Sequence, residues 1–131
     1  SKWSKKYYYD RNHKYYAGEL ELLEFIPTAS FLFPRSLVLD LPKFYFDAIY
    51  GDEPLKLYLA SKGYAYYIDE VMSVYRTNVK GSAMYKQRQS VERRIRGHMG
   101  YLDILNGFNE YTEGIYSKEI EESKLKREIK Y

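Results

Sequence analysis

Residues 50–63, YGDEPLKLYLASKG, decide how this chain is read. Two acids, Asp52 and Glu53, stand directly before Pro54, and Leu55, Tyr58 and Leu59 then fall on one helical face. Proline is tolerated in a first turn because the N–H it lacks has no intrahelical partner there. Lys62 and Gly63 make an ordinary C-terminal end, so the pattern predicts a helix from 53 to 62 with Asp52 as its N-cap. Two roles for Asp52 follow from the same placement. As a cap it stabilises the helix by about 1 kcal/mol. As a carboxylate fixed at a helix start and favoured by the positive end of the helix dipole, it is also set to take a proton from a hydroxyl brought to it. The residues alone leave both readings open.

Working outward toward the N-terminus, residues 35–50 (RSLVLDLPKFYFDAIY) predict a helical turn up to Leu41 and then an aromatic-rich loop after Pro42. Residues 28–33 (TASFLF), bounded by Pro27 and Pro34, predict a short buried strand. ELELLEF predicts one or two helical turns that Pro27 ends, and residues 1–18 read as an irregular or partly helical arm. Toward the C-terminus, YAYYI and VMSVYR predict two short strands or one bent strand. From Ser82 the pattern turns helical. Met84, Val91, Ile95, His98, Leu102 and Leu105 predict one long helix over 83–111 that docks a single stripe, with a kink near Gly97–Gly100 or Gly107. Ser117 is the expected cap of a last, mobile helix carrying a Glu122–Lys126 pair. The chain reads as one domain over 1–131: an arm (1–18), a motif-bearing core (19–82) and C-terminal helices (83–131).

Composition bounds the function classes. The 131 residues are 45% apolar, enough for one core but not for two full lobes. The 21 basic and 18 acidic residues nearly cancel, leaving +3, which gives no general attraction to nucleic acid. The chain has no cysteine, hence no disulfide framework, and no apolar run approaches the roughly 20 residues that span a bilayer. A cytoplasmic location is expected. The 17 tyrosines combine large apolar faces with hydroxyls that need partners when buried, which suits a cleft for polar, ring-shaped ligands; as single residues most are ordinary core and surface aromatics.

Several chemistries are disfavoured. Only His13 and His98 are present among the histidines, so a zinc site of the usual kind is not expected, and no metal ligand is assigned in this chain. No glycine-rich phosphate loop, Asp-x-Asp pair or nucleophile elbow occurs. Arg88, Arg93, Arg94 and Arg96 read as a solvated face, partly offset by Glu92, with nucleic-acid binding the lesser alternative. His98, within the apolar stripe, reads as a helix-contact residue.

Four groups of residues sharpen the reading. Ile26, Thr28, Ser30, Phe33 and Arg35, then Gly51, Asp52 and Leu55, then Lys62 and Gly63, then Met72, Ser73, Tyr75 and Arg76 occur in an order and spacing that resemble the C-terminal half of inverting family-two glycosyltransferases with the GT-A fold. The resemblance covers about residues 20–85. It implies an α+β fragment of a GT-A type α/β fold, with a few short strands packed on helices. It implies that Asp52 is the catalytic base on an acceptor hydroxyl, which attacks the anomeric carbon of a nucleotide sugar with inversion. Thr28, Ala29 and Ser30 would form the floor of the acceptor site, Glu53 would neighbour it, and Arg76 would lie near the donor diphosphate. Asn78 stands where the family often has histidine.

In that family an N-terminal portion binds the nucleotide and holds Mg²⁺ or Mn²⁺ through an Asp-x-Asp absent here. The resemblance therefore implies an acceptor-side fragment, inactive alone, whose partners in a longer enzyme are a nucleotide sugar and a saccharide or glycoconjugate acceptor. The family's usual setting is polysaccharide assembly at the bacterial envelope, which implies a cytoplasmic enzyme at the inner face of the membrane. Surfaces that face the donor half, including TASFLF and 71–76, would then be exposed and open to homodimerisation. The competing expectation is a small helical protein-interaction module in which Asp52 is only a cap.

Overall fold

The computed structural model describes residues 12–22, 26–74 and 76–128. Among them are six α-helices and one two-stranded antiparallel ribbon, an α+β arrangement dominated by helix. Residues 1–11 of the expected arm, together with Leu23, Phe25, Tyr75 and Ile129, lie outside the described residues.

The centre is the segment from which the sequence was read. Helix α3 spans Asp52–Ser61 and buries Pro54, Lys56, Leu57, Tyr58 and Ala60. Its start differs by one residue from expectation. Gly51 is the N-cap, and Asp52 is the first helical residue, with no side-chain cap bond. The buried face meets helix α5 (Val91–Tyr111), which contributes Tyr101, Ile104, Leu105 and Phe108 to one continuous core. Leu57, Ile104, Leu105 and Phe108 are almost fully enclosed, each worth about 1.5–3 kcal/mol of transfer free energy.

The aromatic-rich segment after Pro42 is not a loop. It forms helix α2 (Lys43–Asp47), with Pro42 as N-cap and a Lys43–Asp47 ion pair one turn apart. Phe44 drives this by packing at 5.9 Å on Phe108 and 5.4 Å on Tyr111, a gain of buried aromatic area that a loop would forgo. The arm also has order. Strand β1 (His13–Tyr15) pairs with β2 (Ala65–Tyr67) in the register His13↔Tyr67, Lys14↔Tyr66, Tyr15↔Ala65, and helix α1 (Ala17–Leu22) follows. Asn12 extends the ribbon by accepting the Asp69 N–H at 2.9 Å.

Two expected strands are absent. TASFLF is not a buried strand. Thr28–Ser30 form an exposed 3-10 turn, in which the Ser30 N–H and hydroxyl both donate to Pro27 O, at 2.9 Å and 2.6 Å. A second such turn, Arg35–Val38, replaces the expected helical turn. Of the other pair only the AYY portion is a strand; Val71, Met72 and Val74 are exposed and unpaired in any ladder.

The long helix over 83–111 is two. Helix α4 (Ala83–Arg88) is capped by Ser82, and α5 restarts where the Ser90 hydroxyl accepts the Arg93 N–H at 3.3 Å. A serine cap, not a glycine, makes the break. The glycines instead let neighbours approach: a Cβ on Gly97 would strike Gln87 and Tyr50, one on Gly100 would strike Ile49, and one on Gly107 would stand 2.8 Å from Phe44 Cβ. The docked stripe is accordingly not the expected one. Met84, Val91 and Ile95 are exposed, while Gly97, Gly100, Tyr101, Ile104, Leu105 and Phe108 turn inward. Helix α6 (Ser117–Glu128) is not a detached tail, since Ile120 and Ser123 are buried where it packs on α1 and α5. Ser117 does not cap it but is its first residue, with Oγ 3.0 Å from Asn109 Oδ1. An ion pair on this helix joins Lys124 to Glu121, and among the described residues none joins Glu122 to Lys126.

The glycine contacts give a test. Gly97→Ala should lie within about 1 kcal/mol of the parent, because side-chain ends can move aside while the helix gains a comparable propensity term. Gly107→Ala should lose about 1–3 kcal/mol in urea unfolding, because Phe44 cannot yield without lifting α2. Equal midpoints for the two variants would contradict this assignment.

Candidate functional site

The N-terminus of α3 carries three ionisable side chains within two turns. Pro54 is enclosed and fixes the first turn, so the backbone under Asp52 and Glu53 is held against the core. Asp52 is half-buried, and its Oδ1 accepts the Glu53 N–H at 3.0 Å. Among the described residues this is its only hydrogen bond, which leaves the second oxygen available to an incoming donor. Gly51 adds no side chain beside it, and the Tyr45 hydroxyl stands 4.0 Å from where a Gly51 Cβ would be.

Glu53 does not share that openness. Its carboxylate pairs with Lys56 Nζ at 2.6 Å, and both side chains are largely enclosed, at 14% and 6% exposure. Neither charge is stable in a poorly hydrated position without the other, so the pair is a structural unit behind Asp52. The spacing i, i+3 was legible in the sequence; the burial that makes it matter was not.

The remaining expected site residues lie elsewhere. Thr28, Ala29 and Ser30 sit on the exposed turn before residue 31, and Arg76 is exposed in the segment that precedes α4. Among the described residues no hydrogen bond or ion pair joins their side chains to Asp52 or Glu53. Asn78 adopts the left-handed backbone region, with φ 58°, and its side-chain oxygen accepts from Arg88 Nη1 at 2.9 Å. Its work is therefore local: asparagine tolerates that conformation well, and the amide ties the loop to α4. Among the described residues one shallow groove of about 320 Å³ runs along Tyr16, Gly18, Glu19, Tyr116 and Glu119, and another of about 290 Å³ along Val91, Arg94, Ile95 and His98. Neither includes Asp52. Among the described residues no three His, Asp or Glu side chains converge.

At the other end of α3, roughly 15 Å away by helix rise, is a cationic contact that the sequence did not single out. Lys62 Nζ donates to the Tyr111 hydroxyl at 2.7 Å and lies 4.9 Å and 5.4 Å from the Tyr58 and Tyr111 ring centres. The Tyr111 hydrogen bond, against a smaller opposing effect of burial, holds the Lys62 ammonium above its ordinary value. A raised folded value means that this contact stabilises the fold fully below the usual lysine range and loses its effect as pH rises through the folded value. The cation also sits favourably at a helix C-terminus.

Comparison with protein-family models, curated proteins and solved structures found no match. No described helix is long and apolar enough to cross a membrane.

Two measurements test these assignments. Glu53→Ala should cost about 3–5 kcal/mol by stranding the buried Lys56 ammonium, and Lys56→Met added to it should recover much of that loss; additive losses would show that the pair is not coupled. In a side-chain NMR titration, Lys62 should have a higher midpoint than solvated lysines and return toward them in Tyr111→Phe. An unchanged midpoint in that variant would remove the assigned cause.

Proposed function

We propose that this chain is the acceptor-side portion of an inverting glycosyltransferase, with Asp52 as the base that activates the acceptor hydroxyl. The observation that carries the reading is the carboxylate itself. It is half-exposed, pinned through one oxygen to the backbone at the start of a helix seated in the core, and has its second oxygen unengaged among the described residues. That is the arrangement a general base needs: fixed position, negative charge favoured by the helix dipole, and a free lone pair. The order of the motifs from Ile26 to Arg76 adds support.

In this mechanism Asp52 accepts the proton of an acceptor alcohol as the oxygen forms a bond to the anomeric carbon. The bond from that carbon to the nucleoside diphosphate breaks on the opposite face, its electron pair leaves with the diphosphate, and the configuration inverts. Asp52 is the catalytic residue; Glu53 and Lys56 hold its turn in place. Tyr45 is near enough to border an acceptor ring. The exposed apolar side chains Leu32, Val71, Met72 and Val74 are of the kind that pack against a second lobe, which would supply the donor site and the remaining walls of the acceptor site. A divalent cation would belong with that lobe.

A helical interaction module is the second reading, favoured by the exposed apolar stripe Val91, Ile95 and Met99. One substitution separates the two. In the complete enzyme, Asp52→Asn should lower turnover by about 10²–10⁴-fold while leaving nucleotide-sugar binding nearly unchanged, and the 131-residue chain by itself should transfer no sugar. Parent-like turnover in Asp52→Asn, measured by release of the nucleoside diphosphate, would remove the base role.

A further inference from the structure

Helix α5 is apolar on two faces. One, through Gly97, Tyr101, Ile104, Leu105 and Phe108, is buried in the core. The other, Val91, Ile95 and Met99, lies roughly 140° round the helix axis and is 59%, 58% and 52% exposed. Half-buried Leu102 falls within the same arc. A helix already seated on a core by one face has no reason within the fold to carry a second apolar stripe.

The charges beside this row identify its partner. Helix spacing puts Glu92, Arg96 and Asp103 along one edge of the row and Arg94 on the other, all four exposed, while Arg93 falls on the far side. Among the described residues no hydrogen bond or ion pair engages Arg96 or Asp103. Asp103 has no cation within reach on its own helix, where the positions three and four residues away are Met99, Gly100, Asn106 and Gly107. A second copy running antiparallel supplies what is missing. Arg96 and Asp103 stand equally far from the midpoint between Met99 and Gly100, and their separation places them at nearly the same angle round the axis. A two-fold axis through that midpoint sets Arg96 level with the partner's Asp103, and Asp103 level with the partner's Arg96. It also sets Met99 against the partner's Met99 and Ile95 near the partner's Leu102. Like charges stay apart. Along the axis Arg94 is offset from the partner's Arg94 by about 16 Å and Glu92 from the partner's Glu92 by about 22 Å, both beyond the screening length of about 8 Å. A parallel pair lacks this match: it would set Asp103 against the other edge, where the one α5 guanidinium, that of Arg94, is about 13 Å lower along the axis.

We propose that the exposed face of α5 is a self-association surface: two copies of the chain pair through Val91, Ile95, Met99 and Leu102 as an antiparallel, two-fold symmetric helix contact, with Arg96 and Asp103 exchanged between them. The row is small beside the roughly 800 Å² per partner of a stable dimer, so the association is weak and reversible. It uses a face separate from residues 28–33 and 71–76, goes beyond the transferase reading and does not depend on Asp52.

The test is sedimentation equilibrium of the 131-residue chain between about 10 μM and about 1 mM, across which the mass should rise from monomer toward dimer. Arg96→Asp and Asp103→Arg should each weaken dimerisation about tenfold, because each reverses one charge in two symmetry-related ion pairs. The two substitutions together should return the dissociation constant to within about threefold of the parent. Ile95→Glu should abolish the dimer with an unchanged circular dichroism spectrum, because that side chain is exposed in the folded chain. Met72→Glu, on a separate exposed segment, should leave the dimer intact. Three results would overturn the proposal: a monomer at the highest concentration; a dimer that Ile95→Glu spares or Met72→Glu dissociates; or charge reversals that have no effect singly or are not rescued in the double variant.

Discussion

The seating of α3 on α5 is the constraint from which the rest of the structure follows. Leu57, Tyr58 and Ala60 on one helix and Tyr101, Ile104, Leu105 and Phe108 on the other form the middle of the core. Once that contact is made, α2 is pulled onto Phe108 through Phe44, and Tyr116 stacks on the same ring at 5.6 Å, which carries the chain from α5 into α6. The glycines of α5 matter here for the distance they allow. Gly107 admits Phe44, and Gly100 admits Ile49, so short elements can lie close against a helix that would otherwise hold them off.

The same contact sets the chemistry at both ends of α3. At its start, Asp52 is left half-exposed while Glu53 and Lys56 are drawn into a mutual pair. At its end, Lys62 is placed over two tyrosine rings and bonded to one of them. Tyrosines in and around the core have partnered hydroxyls: buried Tyr58 donates to Asp40 O at 3.5 Å, Tyr50 at the core edge accepts from Gln87 at 2.9 Å, and the more exposed Tyr111 accepts from Lys62. This is how a chain so rich in tyrosine can bury rings without stranding polar atoms. Exposed rings such as Tyr16, Tyr64 and Tyr66 gather near the ribbon.

Legibility followed the range of the interaction. The helix at 52–61 was readable because its signals are local: acids and proline in the first turn, apolar residues three and four apart, and glycine after the end. The acids at its start were readable as a candidate site for the same reason. Where the reading failed, a long-range partner decided. TASFLF has strand composition but finds no strand to pair with, so proline and serine turn it. KFYFD lacks a long helical pattern yet becomes α2, because Phe44 has an aromatic pocket waiting. The break before α5 follows Ser90, a cap signal present in the sequence but outweighed there by three more conspicuous glycines.

What the sequence determined by itself was therefore local: the place and polarity of α3, the carboxylate at its head, the cationic character of residues 86–96, and a size and composition that permit one core. Only the tertiary structure decided which face of α5 turns inward, because the sequence offers two apolar faces with nearly equal claims. Packing against α3 and α2 selects the face whose glycines let those helices come close, and the other face is left to water or to a partner. The same packing decided that Glu53 is spoken for and Asp52 is not, since burial depends on neighbours that are distant along the chain.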